Sequence, residues 1–435
     1  LFWAKGDTWL GLSIEFLRIR IPGWFYLLPL FWLLLMVDSY DFRKAGNLKE
    51  TLKSLSLSFL IAAGIYLLIY FASDPDSLPR LGVAIFLILA AIFTLIWRKV
   101  YVHLFAATSQ QKRALIIGAG RAGTALTKVL SEQDPPPFNL IGLIDDNPEK
   151  IGTEIEGHPI LGNHSELWEI IQNQNITDVI LAISNEMSHG MFQTILSVQE
   201  SGLRMATMQE TYESLTGRVP ISLLEPDWVI RSFIDHTPTS GLYRIVKRLL
   251  DLVMGVIGLV ALAIVYPLIA IMIRLDSPGP IIFKQIRLGR SGKPYNILKF
   301  RTMKDSKDME KEALVTAAND PRVTRVGRLL RKTHLDEVPQ IFNVLRGEMS
   351  FVGPRSERGE LVKVFQVEVP FYRARMLVKP GITGWAQIHQ NYAETVDETA
   401  VKLEYDLYYI QHATILMDIN IMLRTVMSVL GFKGR

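Results

Sequence analysis

Asp336 and Glu337 are adjacent carboxylates at the foot of a helix-like run, Val338 to Leu345, that Gly347 closes. Five cations lie just upstream, Arg322, Arg325, Arg328, Arg331 and Lys332, with no acid among them. Carboxylates beside a cationic patch suit phosphate chemistry. The cations screen an anionic substrate, and a carboxylate can hold Mg²⁺ or attack phosphorus. A helix start, here with Pro339 in its first turn, lowers the cost of a carboxylate and attracts phosphate oxygens. Asp336 also reads as a plain N-cap, and one residue can cap and catalyse at once. Arg331 and Arg328 stand five and eight residues before it, where they can neutralise a phosphoryl group in transfer. A carboxylate nucleophile needs no base, which leaves His334 a structural or orienting role.

Three further sites fit the same chemistry, each with a plainer reading beside it. Arg355, in a Gly353-Pro354 loop, is either a two-pronged phosphate clamp or half of a structural ion pair. Lys299 and Arg301 alternate on a strand-like run and so share a face, which contacts phosphate or lipid headgroup, or is merely solvated. Trp385 and Gln387 follow a Pro-Gly turn and either line a nucleotide pocket or pack in a core.

Something must hold these residues at an anionic substrate, and the whole chain indicates where. It has 435 residues, 49% of them hydrophobic, and a positive mean hydropathy, which points to a membrane protein with soluble parts. There is no cysteine, which excludes disulfides, thiolate metal sites and a cysteine nucleophile. Net charge is +4, but from Asp276 onward there are 25 Lys and Arg against 18 Asp and Glu. The positive charge therefore sits with the carboxylates, where nucleotides or anionic headgroups are the fitting partners. Nucleic acid is a poor partner for a chain with four long apolar runs.

Three of those runs, Ile21–Val37, Leu52–Phe71 and Leu81–Trp97, are near the length that crosses a ~30 Å hydrocarbon core. They predict a transmembrane bundle over residues 1–105. Arg43, Lys44, Lys49 and Lys53 follow the first run and Arg98 and Lys99 the third, which places those ends in the cytoplasm and residues 72–80 outside. From Arg113 the pattern becomes strand–helix alternation, predicting a Rossmann-like α/β domain over 106–206. Gly118, Gly120 and Gly123 lie between its first strand and helix, with Asp145 closing the second strand. That spacing suits a dinucleotide, and equally a ligand-free turn packed closely on its helix. Residues 207–243, with Pro220, Pro226 and Pro238, read as a linker. Leu252–Ile273 is the fourth apolar run, interrupted by Tyr266-Pro267 and flanked by Lys247, Arg248 and Arg274. Cations on both flanks favour a re-entrant helix over 244–275, broken at Tyr266-Pro267, above a spanning one. Tyr405, Tyr408 and Tyr409 read as anchors at the membrane interface, and Ile415–Phe432 as an amphipathic helix lying on it.

From Arg244 to the C-terminus the chain resembles the bacterial sugar transferase family, the monotopic phosphoglycosyl transferases. The resemblance rests on several motifs in order: Lys247-Arg248-Leu249-Leu250-Asp251, Gln285-Ile286-Arg287-Leu288-Gly289, Lys299-Phe300-Arg301-Thr302-Met303, Leu335-Asp336-Glu337, Asn343 through Ser350, Phe351-Val352-Gly353-Pro354-Arg355, Lys379 through Gln387, and Glu404 through Tyr409. The N-terminal part is similar to the long members, which carry a transmembrane bundle and a Rossmann-like domain before the transferase. Those members have four spans and this chain shows three, so a first span is expected before Leu1, or the count differs here. The resemblance implies the fold class: a membrane protein, α plus α/β, with a C-terminal transferase domain over 276–435 and a re-entrant helix. It implies transfer of a sugar-1-phosphate from a UDP-sugar to undecaprenyl phosphate with release of UMP, to initiate polysaccharide synthesis. Asp336 would form the covalent phosphosugar intermediate, with Glu337 beside it. Mg²⁺ would be held by these carboxylates, and Arg331, Arg328, Arg355, Lys299, Arg301 and Gln387 would bind substrate. It also implies a homodimer in the bacterial inner membrane, multi-pass, with its catalytic domain on the cytoplasmic side among membrane lipids. Ser356 departs from the family's Pro-Arg-Pro, which puts the rigidity of the Arg355 loop in question. The competing reading is a membrane-tethered nucleotide-sensing scaffold whose transferase-like half is inactive.

Overall fold

A computed structural model describes residues 112–133, 136–183, 187–223, 241–304, 320, 322–390 and 395–430. It also describes 86–97, 99–100, Trp32 and a few positions between 55 and 66. The chain divides into two compact units, Leu1–Thr207 and Met208–Arg435.

The expected transmembrane bundle lies largely outside the described residues. Of its three runs, the third supplies α1 (Phe86–Trp97), apolar but shorter than a span. Trp32, Leu55, Ala62 and Leu87 are buried together, and Trp32 Nε1 donates to Thr94 Oγ1 at 3.1 Å. The rest of the first unit is a six-stranded sheet, ordered β3-β4-β2-β1-β5-β6. Its strands are β1 (Arg113–Ile117), β2 (Asn139–Ile144), β3 (Glu154–Ile155), β4 (His158–Gly162), β5 (Asp178–Leu181) and β6 (Arg204–Thr207). All pairs are parallel except β3–β4. Helices α2 (Arg121–Ser131), α3 (Leu167–Asn173) and α4 (His189–Glu200) alternate with the strands. Ala114–Ile117 are fully buried, as a central parallel strand covered on both faces requires.

In the second unit, α5 (Met208–Thr216) opens the segment read as a linker. Met208, Tyr212 and Thr216 are buried, and Val219 and Ile221 join the core of the unit. The prolines of this stretch had masked a helical spacing too short to stand out.

The next element, α6 (Gly241–Asp276), is 36 residues long and is the one helix among those described that is long and apolar enough to cross a membrane. It runs unbroken through Tyr266 and Pro267, where a break was expected. The Tyr266 ring lies 5.9 Å from that of Phe300, and Ile269 and Ile273 are buried within the next two turns, so packing holds both sides of the proline in place. Antiparallel β7 (Ile282–Leu288) and β8 (Pro294–Phe300) follow. After them come α7 (Arg325–Lys332), a 3₁₀ turn over Leu335–Gln340 and α8 (Ile341–Arg346). The single helix expected at Val338–Leu345 is thus two shorter pieces, because Pro339 interrupts the hydrogen-bond ladder. β9 (Ser350–Val352) pairs in parallel with β10 (Gly381–Thr383) across α9 (Gly359–Glu368) and a 3₁₀ turn at Tyr372–Leu377. α10 (Trp385–His389), α11 (Val396–His412) and α12 (Ile415–Leu430) complete the unit.

One membrane reading fails here. Tyr409 is 2% exposed and its hydroxyl donates to Asp418 at 2.7 Å, while Tyr408 stacks on Trp385 and Tyr405 on His389. These tyrosines pack the protein interior instead of anchoring at an interface. By contrast α12 is amphipathic as expected: it turns Asp418 inward, fully buried against Lys247 at 2.8 Å, and leaves Leu416 and Val426 outward.

Candidate active site

The carboxylates are positioned by three neighbours. His334 takes a left-handed conformation (φ 56°), which reverses the chain between α7 and the 3₁₀ turn bearing Asp336 and Glu337. β8 runs alongside that turn, fixed by Asn343. The Asn343 amide accepts from Leu298 N (3.1 Å) and donates to Asn296 O (2.7 Å) and Glu348 (2.7 Å). Phe300, Leu330 and Val338 pack together on Leu262 and Ile269 of α6.

The third neighbour is the Arg355 loop. Gly353 lies against the Lys379–Gly381 backbone so closely that a Cβ would meet Lys379 O. Gly353 N donates to Thr383 O (2.9 Å) and Gly381 N to Pro354 O (3.0 Å). The Lys379-Pro380-Gly381 motif is therefore a brace for this loop.

Within the site the two carboxylates differ sharply. Glu337 Oε1 accepts from Lys299 Nζ (2.7 Å) and Arg355 Nη2 (2.8 Å). Burial opposes its charge, but Arg355 and Lys299 outweigh that and hold the carboxyl well below the usual range. Asp336 is 8% exposed and, among the described residues, its carboxylate has no ion pair or hydrogen bond. Burial pushes its carboxyl up against the pull of Lys299, and Glu337 adds to the rise while Arg355 and Arg331 oppose it. One carboxylate is neutralised and one is held ready beside the same cations.

The remaining predicted residues divide. Lys299 and Arg355 are at the carboxylates, and Arg331 is close enough to act on Asp336 while its Nε donates to Thr302 Oγ1 (3.0 Å). Arg328 is exposed on α7. Arg301 departs from expectation. It is 4% exposed and donates to Ser277 O (2.6 Å), Ser277 Oγ (3.1 Å) and Pro278 O (2.9 Å). It lies just past the end of β8, where the alternation that put it on the face of Lys299 stops, so it pins the end of α6. Gln387 and Trp385 are both half-buried; Gln387 donates to Ile382 O (3.1 Å) while its Oε1 is buried without a hydrogen-bond partner, and Trp385 donates to Gly217 O (2.9 Å). Sequence reasoning passed over Asp251. It is 3% exposed in the apolar helix and accepts from Ser350 Oγ and Phe351 N, both at 2.9 Å. A lone acid beside a long apolar run was the available signal.

The donor set fits Mg²⁺ in a limited way. This ion takes one or two carboxylates and completes its shell with substrate phosphates and water. Asp336 is open for that role. Glu337, expected as a second ligand, has one oxygen committed to two cations. No group of three or more acidic or histidine side chains lies together among the described residues.

In the first unit, Gly118 has φ 107° with its α-carbon against Ala182 O, and Gly123 packs on the Gly118 carbonyl. Asp145 accepts from Ala119 N (2.8 Å) and from Lys150 Nζ (3.1 Å). The acid that would meet a ribose is thus spent on closing the glycine loop itself, which is the packing reading of the motif.

The model for the bacterial sugar transferase family matches residues 242–432, and that for a CoA-binding domain matches 36–202. The chain is 38% identical over 229 residues to the UDP-N-acetylgalactosamine-undecaprenyl-phosphate N-acetylgalactosaminephosphotransferase of Aeromonas hydrophila, covering 52% of this chain and 53% of that one. It is 44% identical to the UDP-glucose:undecaprenyl-phosphate glucose-1-phosphate transferase of Escherichia coli (strain K12), over 46% of this chain and 42% of that one. These two matches span about half the length of each relative. Against the enzyme of the same name from Xanthomonas campestris pv. campestris the identity is 30%, over 76% of this chain and 69% of that one. Because that match runs well beyond the length of the transferase unit and covers more than two thirds of the relative, the chain belongs to the bacterial sugar transferase family.

Proposed function

We propose that this chain transfers a sugar-1-phosphate from a UDP-sugar to undecaprenyl phosphate, releasing UMP, and so begins the assembly of a polysaccharide on its lipid carrier. The observation that carries this reading is the unpaired, buried Asp336 carboxylate beside two cations whose charge Glu337 only half neutralises. An Asp336 oxygen attacks the β-phosphorus, the bond to the bridging oxygen breaks, and UMP leaves with that electron pair. An oxygen of the lipid phosphate then attacks the same phosphorus, the aspartyl–phosphorus bond breaks, and the carboxylate is restored. Lys299, Arg331 and Arg355 offset phosphoryl charge as it builds. Glu337 keeps Lys299 and Arg355 in place without competing as a nucleophile. Mg²⁺, when bound to Asp336 and the diphosphate, would supply charge neutralisation and make UMP a better leaving group.

The membrane assignment rests on α6. Its first turns dock through Lys247 to Asp418, and its last residue accepts from Val326 N at 2.8 Å through Asp276 Oδ2. Both ends bind one folded unit, which supports a helix that enters and leaves on one side. By the charge bias of the connectors that side is the cytoplasmic face of a multi-pass protein in the inner membrane. The homodimer is proposed from the family resemblance, and its test is the mass of the detergent-solubilised particle.

The deciding experiment supplies purified chain and undecaprenyl phosphate with a panel of UDP-sugars and follows UMP. Asp336→Asn abolishes release and Arg121→Ala, on the first unit, does not. Intact-mass analysis during turnover shows a sugar-phosphate adduct on the wild type. Turnover retained by Asp336→Asn would rule out the covalent scheme.

A further inference from the structure

Arg355 reaches Glu337 only if the backbone of its loop is fixed, and residue 356 is Ser where the resemblance leads one to expect Pro. Beneath the loop lies a buried ionic cluster that the transfer chemistry leaves unused. Arg375, 5% exposed, donates from Nη2 to the Arg355 carbonyl (3.1 Å) and from Nη1 to the Tyr372 hydroxyl (2.7 Å). The same Nη2 lies 2.7 Å from Asp406 Oδ2, whose residue is 1% exposed. One residue on, Arg287 Nη1 donates to the Ser356 carbonyl (3.3 Å). One further, Leu288 N donates to the Glu357 carbonyl (3.1 Å). Three consecutive carbonyls are therefore held from below. The Glu357 carboxylate closes the cluster on Lys402 (2.9 Å), Arg287 (3.6 Å) and Arg375 (3.8 Å). A cavity of about 20 Å³, room for one water, lies behind the loop against Pro354, Ser356 and Arg375.

Burying an arginine this deeply is unfavourable unless it is paired and its donors are used. Asp406 pairs it, and its other donors go to a phenol and to one main-chain oxygen of the functional loop. A guanidinium so enclosed is committed to the loop and to its own acidic partner. We propose that Arg375 is a positioning residue of the transfer reaction, with Arg287 as its counterpart. The two fix the Arg355 and Ser356 backbone so that the Arg355 side chain meets Glu337 and, during transfer, the phosphoryl group. They do the work that a proline at 356 would share. The inference rests on the transferase reading above.

The test is a pair of double-mutant cycles on the full chain. In the first, UMP release is measured with undecaprenyl phosphate and an active UDP-sugar. Arg355→Ala lowers kcat about 100-fold. Arg375→Gln lowers it about 10-fold or more with KM for the UDP-sugar within about threefold, because the displaced group grips the transition state. Arg375→Lys, which keeps the charge beside Asp406, recovers part of that loss. Adding Arg375→Gln to Arg355→Ala slows the reaction by no more than about twofold, since the residue acts through one already gone. Losses that multiply, or a raised KM with kcat unchanged, overturn the proposal. If Arg375→Gln does not fold, Arg287→Gln at the more exposed end of the cluster carries the same cycle. The second cycle reads thermal unfolding of Arg375→Gln with Glu337→Gln and needs no turnover. Coupling through Arg355 makes the two falls in Tm less than additive, and additive falls overturn the proposal. A wild type silent toward every UDP-sugar with coupled Tm values sinks the transferase reading alone.

Discussion

Asp336→Asn and Glu337→Gln should move stability in opposite directions although the residues are neighbours. Glu337 is the partner of two cations, and its side chain is 12% exposed against 18% for Lys299 and 31% for Arg355. Removing its charge leaves both cations facing a neutral amide. Partial exposure puts the cost below that of opening a fully buried pair, at about 2–3 kcal/mol. For a unit of this size that is a fall in Tm of about 4–12 °C. Asp336 has no partner to lose, and burial already disfavours its charge. Replacing it with a neutral isostere removes a strain that function imposes, a gain of about 0.5–1 kcal/mol and about 1–4 °C. The pH dependence separates the two further. The Asp336 carboxyl is raised in the fold, so its contribution is present below the unfolded value and lost as pH rises through the folded one. The advantage of Asp336→Asn therefore shows at neutral pH and fades in acid. The Glu337 carboxyl is lowered, so its contribution is present above the unfolded value and lost as pH falls through the folded one. The cost of Glu337→Gln shrinks only at strongly acid pH. Thermal unfolding of the detergent-solubilised chain at neutral and acid pH reads both. An Asp336→Asn protein less stable than wild type at neutral pH would mean that the carboxylate is paired, and the case for it as a ready nucleophile would fail.

Four further outcomes follow from the same contacts. Burial raises the Glu404 carboxyl to about 7, against the nearby Arg218, so wild type should lose stability between pH 4.5 and about 7. Glu404→Gln removes that slope, worth about 3 kcal/mol, and a parallel stability–pH curve for the variant refutes the assignment. EDTA should stop UMP release and added Mg²⁺ restore it, and a rate indifferent to EDTA removes the metal. Gly353→Ala drives a methyl into the Lys379–Gly381 backbone, costing about 1–3 kcal/mol together with most activity; normal turnover would show that the brace does not set Arg355. The chain has no cysteine, so single cysteines at positions 241 and 276 can be labelled without background. Both should react from one side of the membrane, and opposite sides would end the re-entrant topology.

The sequence displayed the motifs far better than it displayed their division of labour. Lys299 and Arg301 show why. Strand alternation put both on one face, but β8 ends at Phe300, and the next residue turns under α6 to the Ser277 and Pro278 carbonyls. Strand ends are set by tertiary pairing, which no local pattern reports. Glu337 was legible as an acid beside Asp336, whereas its ownership of Lys299 and Arg355 depends on contacts 38 and 18 residues away in the chain. The glycine motif was legible as a strand–loop–helix turn. Its use of Asp145 on its own Ala119 N–H was not, because a carboxylate that binds a ribose and one that closes a loop occupy the same sequence position. The tyrosines near 405–409 failed for a related reason. An aromatic beside an acid reads the same whether the acid lies in water or, as with Asp418, in the core.

The polar residues of the apolar helices leave one face of the second unit apolar. Lys247 and Asp251 of α6 and Asp418 of α12 all point inward, to one another or to Tyr409, Ser350 and Phe351. With the charges consumed inside, the outward surface of α6 is apolar, and Leu249, Val253, Val256, Val260, Ile264 and Ile271 are each half exposed or more. No exposed charge interrupts it between Arg244 and Arg274, a helical length of about 45 Å. That exceeds the ~30 Å of a hydrocarbon core, so a helix along the membrane normal would leave apolar turns in water. A path that tilts or bends into one leaflet keeps the whole stretch covered. Lys247 and Asp251 fasten the first turns of α6 to the unit that bears Asp336, and Asp276 fastens its last residue. On the transferase reading proposed above, insertion of the helix and placement of Asp336 near the lipid surface would be one structural event, and a lipid phosphate would be met where the membrane already holds it.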